Sequence, residues 1–169
     1  LTLIAISAYI WSEEYIEPIM QKLRKYGFTG DFALGGYQIT KEVPIEQFYS
    51  DDVRYFISGP GEKSLVNAIV NRPNERVLES NLKLEEFVSP YLTNVLPVKQ
   101  DAEMVRMETQ RGCRWRCSFC SYRGLDEGPV VGMDRERLRN EFKLFAKRNV
   151  KKINILDPEF NAGRRCIDT

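Results

Sequence analysis

Short apolar, β-branched runs alternate with amphipathic stretches along the first part of the chain, and this order leaves few folds open. Residues 2–10 are apolar and β-branched and read as a buried strand. Residues 13–26 place Ile16, Ile19, Met20 and Leu23 at helical spacing, with acidic residues first and basic residues last, as the helix dipole favours. Pro18 sits uncomfortably in that helix if it begins before Tyr15, and Gly27 supplies its stop. Residues 31–34 form a short strand ending in Gly35-Gly36, residues 45–50 a short helix, and residues 53–58 a further strand. Gly59-Pro60-Gly61-Glu62 then leads into a helix over 63–71. Strand and helix alternate throughout, which predicts an α/β fold with a parallel sheet.

Residues 72–103 change character: they carry Pro73, Pro90 and Pro97, many polar residues and no sustained period. They read as a linker. Strand character resumes at 104–108. An amphipathic helix is expected over 134–148, with Leu138, Phe142 and Phe145 on one face and Asp134 as N-cap, and a strand follows at 152–156. The expected organisation is therefore an α/β domain over 1–72, a linker over 73–103 and a second α/β domain over 104–169. The second has too few strands to close a barrel, and the chain begins with Leu rather than Met, so both ends read as cut.

Three of the four cysteines, Cys113, Cys117 and Cys120, fall within one short segment at the spacing C-x3-C-x2-C. A disulfide framework spreads its cysteines to close loops; thiols this close point to a metal or cluster in a reducing compartment. The chain has no histidine, which removes imidazole ligands and histidine bases from it. Thiolates are soft ligands and are the usual donors to iron–sulfur clusters. Three of them on one loop can ligate three irons of a [4Fe–4S] cube and leave the fourth open to a chelating molecule. Arg111, Arg114 and Arg116 flank the loop, and their charge is expected to favour thiolate. Two alternatives use Cys166 as a fourth ligand: a closed zinc site, and a closed electron-transfer cluster. Otherwise Cys166 reads as an ordinary buried helix residue.

The cysteine segment, with Phe119 as the aromatic residue before the last cysteine and Glu108-Thr109-Gln110-Arg111-Gly112 ahead of the first, resembles the radical S-adenosylmethionine superfamily. The resemblance implies a partial (β/α) barrel beginning after the linker, with the cluster loop following its first strand. It implies that S-adenosylmethionine chelates the open iron, and that one electron cleaves it to methionine and a 5′-deoxyadenosyl radical. Phe119 is then expected against the adenine. Polar groups at the end of the next strand bind the amino group in that family, a role Glu159 or Asp157 could fill because a carboxylate accepts hydrogen bonds from an ammonium. The family's glycine-glycine-glutamate form is absent there; the alternative is a β-to-α turn, and Asn161 carries the same two readings.

Ser7 at the end of the first strand, the paired Gly35-Gly36, and Gly59-Pro60-Gly61-Glu62 resemble the later half of a flavodoxin-like (Rossmann-type) cobalamin-binding domain fused ahead of a radical S-adenosylmethionine domain. Phe87-Val88-Ser89-Pro90-Tyr91-Leu92 is similar to the linker of that class. The resemblance implies that Ser7, Gly35, Gly36 and Gly59 border the cofactor, glycine letting backbone approach a bulky ligand. The chain departs from the pattern at Tyr9, where a smaller residue is common, and at Tyr37 after the glycines. The alternative is a flavodoxin-like domain whose glycines serve turns alone.

The implied activity is modification of an unactivated carbon, by methylation or by rearrangement or cyclisation, with a [4Fe–4S] cluster, S-adenosylmethionine and cobalamin as cofactors. A non-catalytic iron–sulfur or zinc protein with a structural or electron-transfer role is the alternative. The implied partners are a small-molecule or peptide substrate and an external reductant of the flavodoxin or ferredoxin type. A net charge of +1 gives no reason to expect a nucleic acid. No apolar run approaches the roughly 20 residues that span a bilayer, and a cytoplasmic location is expected.

Overall fold

The computed structural model describes residues 2–39, 48–79, 84, 87–115, 117–120 and 130–160. The chain falls into two compact units, Leu1–Leu82 and Lys83–Thr169.

In the first unit, four strands form one parallel sheet in the order β1-β2-β3-β4: β1 Leu3–Ser7, β2 Asp31–Gly35, β3 Val53–Ser58 and β4 Val77–Glu79. β1 is shorter than expected and its residues are half-buried or exposed, since β2 is its one neighbour among the described strands. β4 lies in the stretch read as linker and pairs with β3 through Phe56, Ile57 and Ser58. Residues 45–47 of the expected short helix lie outside the described residues, and residues 48–50 are turn and irregular backbone.

Helix α1, Glu13–Lys25, contains Pro18 in its interior. It buries Ile16 and Met20 against Phe32, Leu34, Val53 and Phe56 on one face of the sheet. Its end follows from Gly27, whose φ of +89° is open to glycine at little cost. The Gly27 and Phe28 amides then donate to the carbonyls of Arg24 and Leu23 at 2.9 and 3.0 Å, closing the last turn. Arg24 stays on that turn, donating to the carbonyls of Phe28 and Gly30 and to both oxygens of Asp52. Helix α2, Gly61–Val70, places Ala68 and Leu65 in a separate cluster with Ala33, Tyr55, Ile57 and Leu78. Because Ala33 alternates with Phe32 and Leu34, the two helices cover opposite faces. A parallel sheet with a helix on each face is consistent with a flavodoxin-like arrangement.

In the second unit, β5 Val105–Met107 pairs in parallel with β8 Ile153–Ile155, joined by helix α3, Arg135–Lys147. Two short strands not foreseen from sequence, β6 Gln110–Arg111 and β7 Val131–Gly132, pair antiparallel between them. Asp134 caps α3, accepting the Arg137 amide at 2.7 Å. Phe145 is the core residue of that helix, packed with Val98, Val105, Met107 and Ile153. Phe142, expected beside it, is 41% exposed, while Glu141 is 1% exposed, because Arg137 one turn earlier pairs with its carboxylate at 3.1 Å. The described residues of the second unit contain one β-α-β unit and no closed barrel.

Candidate functional site

The carboxyl ends of β5 and β8 lie side by side, because the two strands are paired and parallel. Asp157, two residues beyond β8, reaches across to the residues that follow β5. Its carboxylate accepts the Thr109 amide at 2.7 Å, the Thr109 hydroxyl, and the Gln110 amide at 3.3 Å. Gln110 returns the contact, its side-chain amide donating to the Glu159 carbonyl. The floor of the site is thus stitched from residues nearly fifty positions apart.

The cysteine loop leaves this floor at Gly112. Cys113 is half-buried, Cys117 and Cys120 are exposed, and all three are free thiols. The Cys120 amide donates to the Cys117 carbonyl at 3.1 Å, turning the chain between the last two. Among the described residues no three cysteine, aspartate or glutamate side chains converge as a metal-holding group. The donor chemistry fits an iron–sulfur cluster, with three unpaired soft sulfurs on one loop and no competing imidazole; the chain's own contacts fix where the loop attaches and not the mutual approach of its sulfurs. Arg116 and Cys166 lie outside the described residues.

Glu159 is the carboxylate that meets this loop. Its Oε1 accepts Arg114 Nε at 3.0 Å and the Trp115 indole N–H at 2.8 Å. Its Oε2 is buried and has no hydrogen-bond partner among the described residues. The two carboxylates proposed from sequence therefore differ: Asp157 is taken up in joining backbone segments, and Glu159 keeps one buried oxygen without a partner among the described residues. Two of the flanking arginines are described. Arg111 pairs with Glu108 at 2.8 Å and lies over the Phe87 ring, and Arg114 pairs with Glu159 at 3.0 Å. Arg111 and Arg114 thus each have a carboxylate partner. Phe119 is 90% exposed beside the last cysteine. Asn161 lies outside the described residues.

In the first unit, the carboxyl ends of β1, β2 and β3 bring Ser7, Gly35 and Ser58-Gly59 to one edge, Ser7 opposite Gly35 and Gly35 opposite Ile57. The Ser7 carbonyl accepts the Ser12 hydroxyl at 3.1 Å, which ties the strand to the start of α1. Gly36 has an internal reason to be glycine: a Cβ there would lie 2.7 Å from the Ala8 carbonyl oxygen, and φ is +109°. A Cβ on Gly35 would make only ordinary contact with Ile57, and Gly59, at φ +75°, faces open space. Close backbone approach therefore requires glycine at Gly36, whereas no such contact requires it at Gly35 or Gly59. In open parallel sheets ligands favour the carboxyl ends where strand order reverses; the four described strands run in sequence order and contain no reversal. The same edge carries an aromatic group that sequence suggested only in part: Tyr9 stacks on Trp11 with centroids 4.7 Å apart and meets Tyr37 at 5.8 Å. Trp11 was not distinguishable beforehand, because its place beside Tyr9 depends on the turn after β1.

No family model matches the chain. Over 135 residues, 76% of this chain, it is 27% identical to a 2-(S-pantetheinyl)-carbapenam-3-carboxylate methyltransferase of Streptantibioticus cattleyicolor. Over 61 residues, 36% of this chain, it is 36% identical to the cobalamin-dependent radical SAM methyltransferase TokK of Streptomyces tokunonensis. The matched stretches span 19% and 9% of those two proteins. Both relatives are methyltransferases, so the similarity is to enzymes. No helix among the described residues is long and apolar enough to cross a membrane.

Proposed function

We propose that this chain is part of a cobalamin-dependent radical S-adenosylmethionine methyltransferase acting on an unactivated carbon. The observation that carries the reading is the set of three free thiols, Cys113, Cys117 and Cys120, on the loop that leaves the carboxyl end of β5. Similarity to two methyltransferases, one cobalamin-dependent, supports it. When bound, the cluster would supply the electron that splits S-adenosylmethionine into methionine and a 5′-deoxyadenosyl radical, and cobalamin would supply the methyl group.

The chain's own residues have separate tasks in this reading. The three cysteines hold three irons and leave one corner open. Glu159 Oε2, buried and unpartnered among the described residues, accepts from the ammonium of S-adenosylmethionine, and Asp157 holds the floor beneath it. Phe119 covers the adenine. Gly35 and Gly59 let cobalamin approach the edge of the first unit, with Ser7 beside them. An external reductant and a small-molecule or peptide substrate complete the proposal, with action in the cytoplasm.

Anaerobic reconstitution with iron and sulfide tests it. A reduced cluster should give an EPR signal that changes when S-adenosylmethionine is added, and dithionite should release 5′-deoxyadenosine. Cys117→Ala should abolish cluster binding, whereas Cys166→Ala should leave it intact. Equal loss in both variants, or zinc as the retained metal, would sink the three-ligand assignment.

A further inference from the structure

We propose that Glu159 is a positioning residue that latches the stretch between Cys113 and Cys117, setting where the first two sulfurs lie. The latch rests on the proposed function only for the group the loop holds; its contacts belong to the chain itself.

Arg114 and Trp115 are the two described residues between those cysteines, and both donate to the same Glu159 oxygen. The guanidinium also lies over the indole ring, 5.0 Å from its centroid, so the carboxylate holds the two side chains as a pair. Trp115 is 59% exposed, and Arg114 is long and mostly solvated. The indole N–H and the guanidinium are donors only, so a carboxylate is the partner both can share. Glu159 is in turn held at its backbone: its carbonyl accepts from Gln110, a buried residue of β6 whose amide reaches Asp157. The Glu159 side chain therefore adds to the chain's own connection at Gly112 a second tie from the loop to the paired ends of β5 and β8. A loop that donates three sulfurs to one rigid cube loses less freedom on binding if its path is already set. One carboxylate thus meets the cysteine loop through Oε1, while its Oε2 stays buried and unpartnered among the described residues.

The test uses the chain in a Trp11→Phe background, so that Trp115 is the sole tryptophan. Glu159→Ala, Glu159→Gln and Arg114→Gln are compared with their parent. Before iron is added, Trp115 emission in Glu159→Ala should move to longer wavelength and become more open to acrylamide quenching. Glu159→Gln should be intermediate, because its amide oxygen still accepts from the indole. After reconstitution, iron loss to a chelator should be about tenfold faster in Glu159→Ala, the scale expected for losing a charge-assisted hydrogen bond. Arg114→Gln should fall between, and it carries the test from the loop side if Glu159→Ala does not fold. Unchanged quenching across the variants would show that the latch does not exist. Altered quenching with unchanged iron loss would show that it does not act on the sulfurs. A parent chain that takes up no cluster would defeat the proposed function, and the Trp115 measurement would still decide the latch.

Discussion

Arg137 and Glu141 form the most enclosed ion pair among the described residues, with side chains 15% and 1% exposed. Arg137 also donates to the Phe87 carbonyl at 3.2 Å, so the pair ties α3 to the segment ahead of β5. Glu141 Oε2 is buried without a partner among the described residues, which makes the pair costly as well as cohesive. Glu141→Ala removes the carboxylate paired with this largely buried guanidinium and should cost about 3–5 kcal/mol, read as a lowered urea midpoint. The double variant Arg137→Met, Glu141→Leu should recover most of that loss, since apolar residues of similar volume need no partners. A double variant as unstable as the single one would mean that the charges hold α3 in place and the packing does not. Tyr49 gives a second residue-scale expectation. Burial, followed by the nearby Glu13 carboxylate, pushes its hydroxyl up to about 12. Its folded value lies above the ordinary one, so its contribution is fully present below about pH 10 and is lost as pH rises toward 12. Stability measured from pH 9 upward should fall more steeply in the parent than in Tyr49→Phe. Parallel curves would remove Tyr49 from the alkaline transition.

At the scale of elements, the joint between β5 and β8 depends on a residue outside both. Asp157→Ala leaves the Thr109 and Gln110 amides without their acceptor and should cost about 1–3 kcal/mol. Asp157→Asn should cost less, because its carbonyl oxygen still accepts. Matched thermal midpoints for the two variants would show that the joint is held by strand pairing alone. Which elements could be foreseen follows from their length and from how local their causes are. α1, β2, β3 and α3 carry several turns or alternations of apolar residues, and the helices have local boundary signals such as the stop at Gly27 and the N-cap at Asp134. β4 has three residues, with Leu78 as its one buried position, and β6 and β7 have two each, too short for any period to register. The apolar stripe of α3 misled at Phe142 because the buried position belongs to Glu141, made tolerable by an arginine that a hydrophobic pattern does not weigh. The cysteines were evident from spacing, which is a local property. The partnership of Glu159 with Arg114 and Trp115 was not, because it joins residues more than forty positions apart through the pairing of β5 with β8.

For the whole molecule, the two units hold separate hydrophobic cores: Phe32, Leu34 and Phe56 with α1, and Tyr55 and Ile57 with α2, in the first; Val105, Met107 and Phe145 in the second. The proposed ligands divide in the same way, the cluster on the loop after β5 and cobalamin at the edge formed by β1, β2 and β3. A ligand stabilises the native state that binds it by an amount set by its concentration relative to Kd, about 2.7 kcal/mol at a hundredfold excess. Amides that exchange only when their unit opens should slow by about the same hundredfold. Hydrogen exchange on the whole chain therefore separates the two halves of the proposal. Iron and sulfide should protect the amides of α3 and β8 and leave those of β2 and β3 unchanged, whereas hydroxocobalamin should protect β2 and β3 and leave α3 unchanged. Protection of α3 by the cluster, with none anywhere from the corrinoid, would keep the cysteine loop as a ligand site and reduce Gly35 and Gly59 to turn residues. Equal slowing in both units by either ligand would show that they open together, and the division of ligands between units would then have no support from their stability.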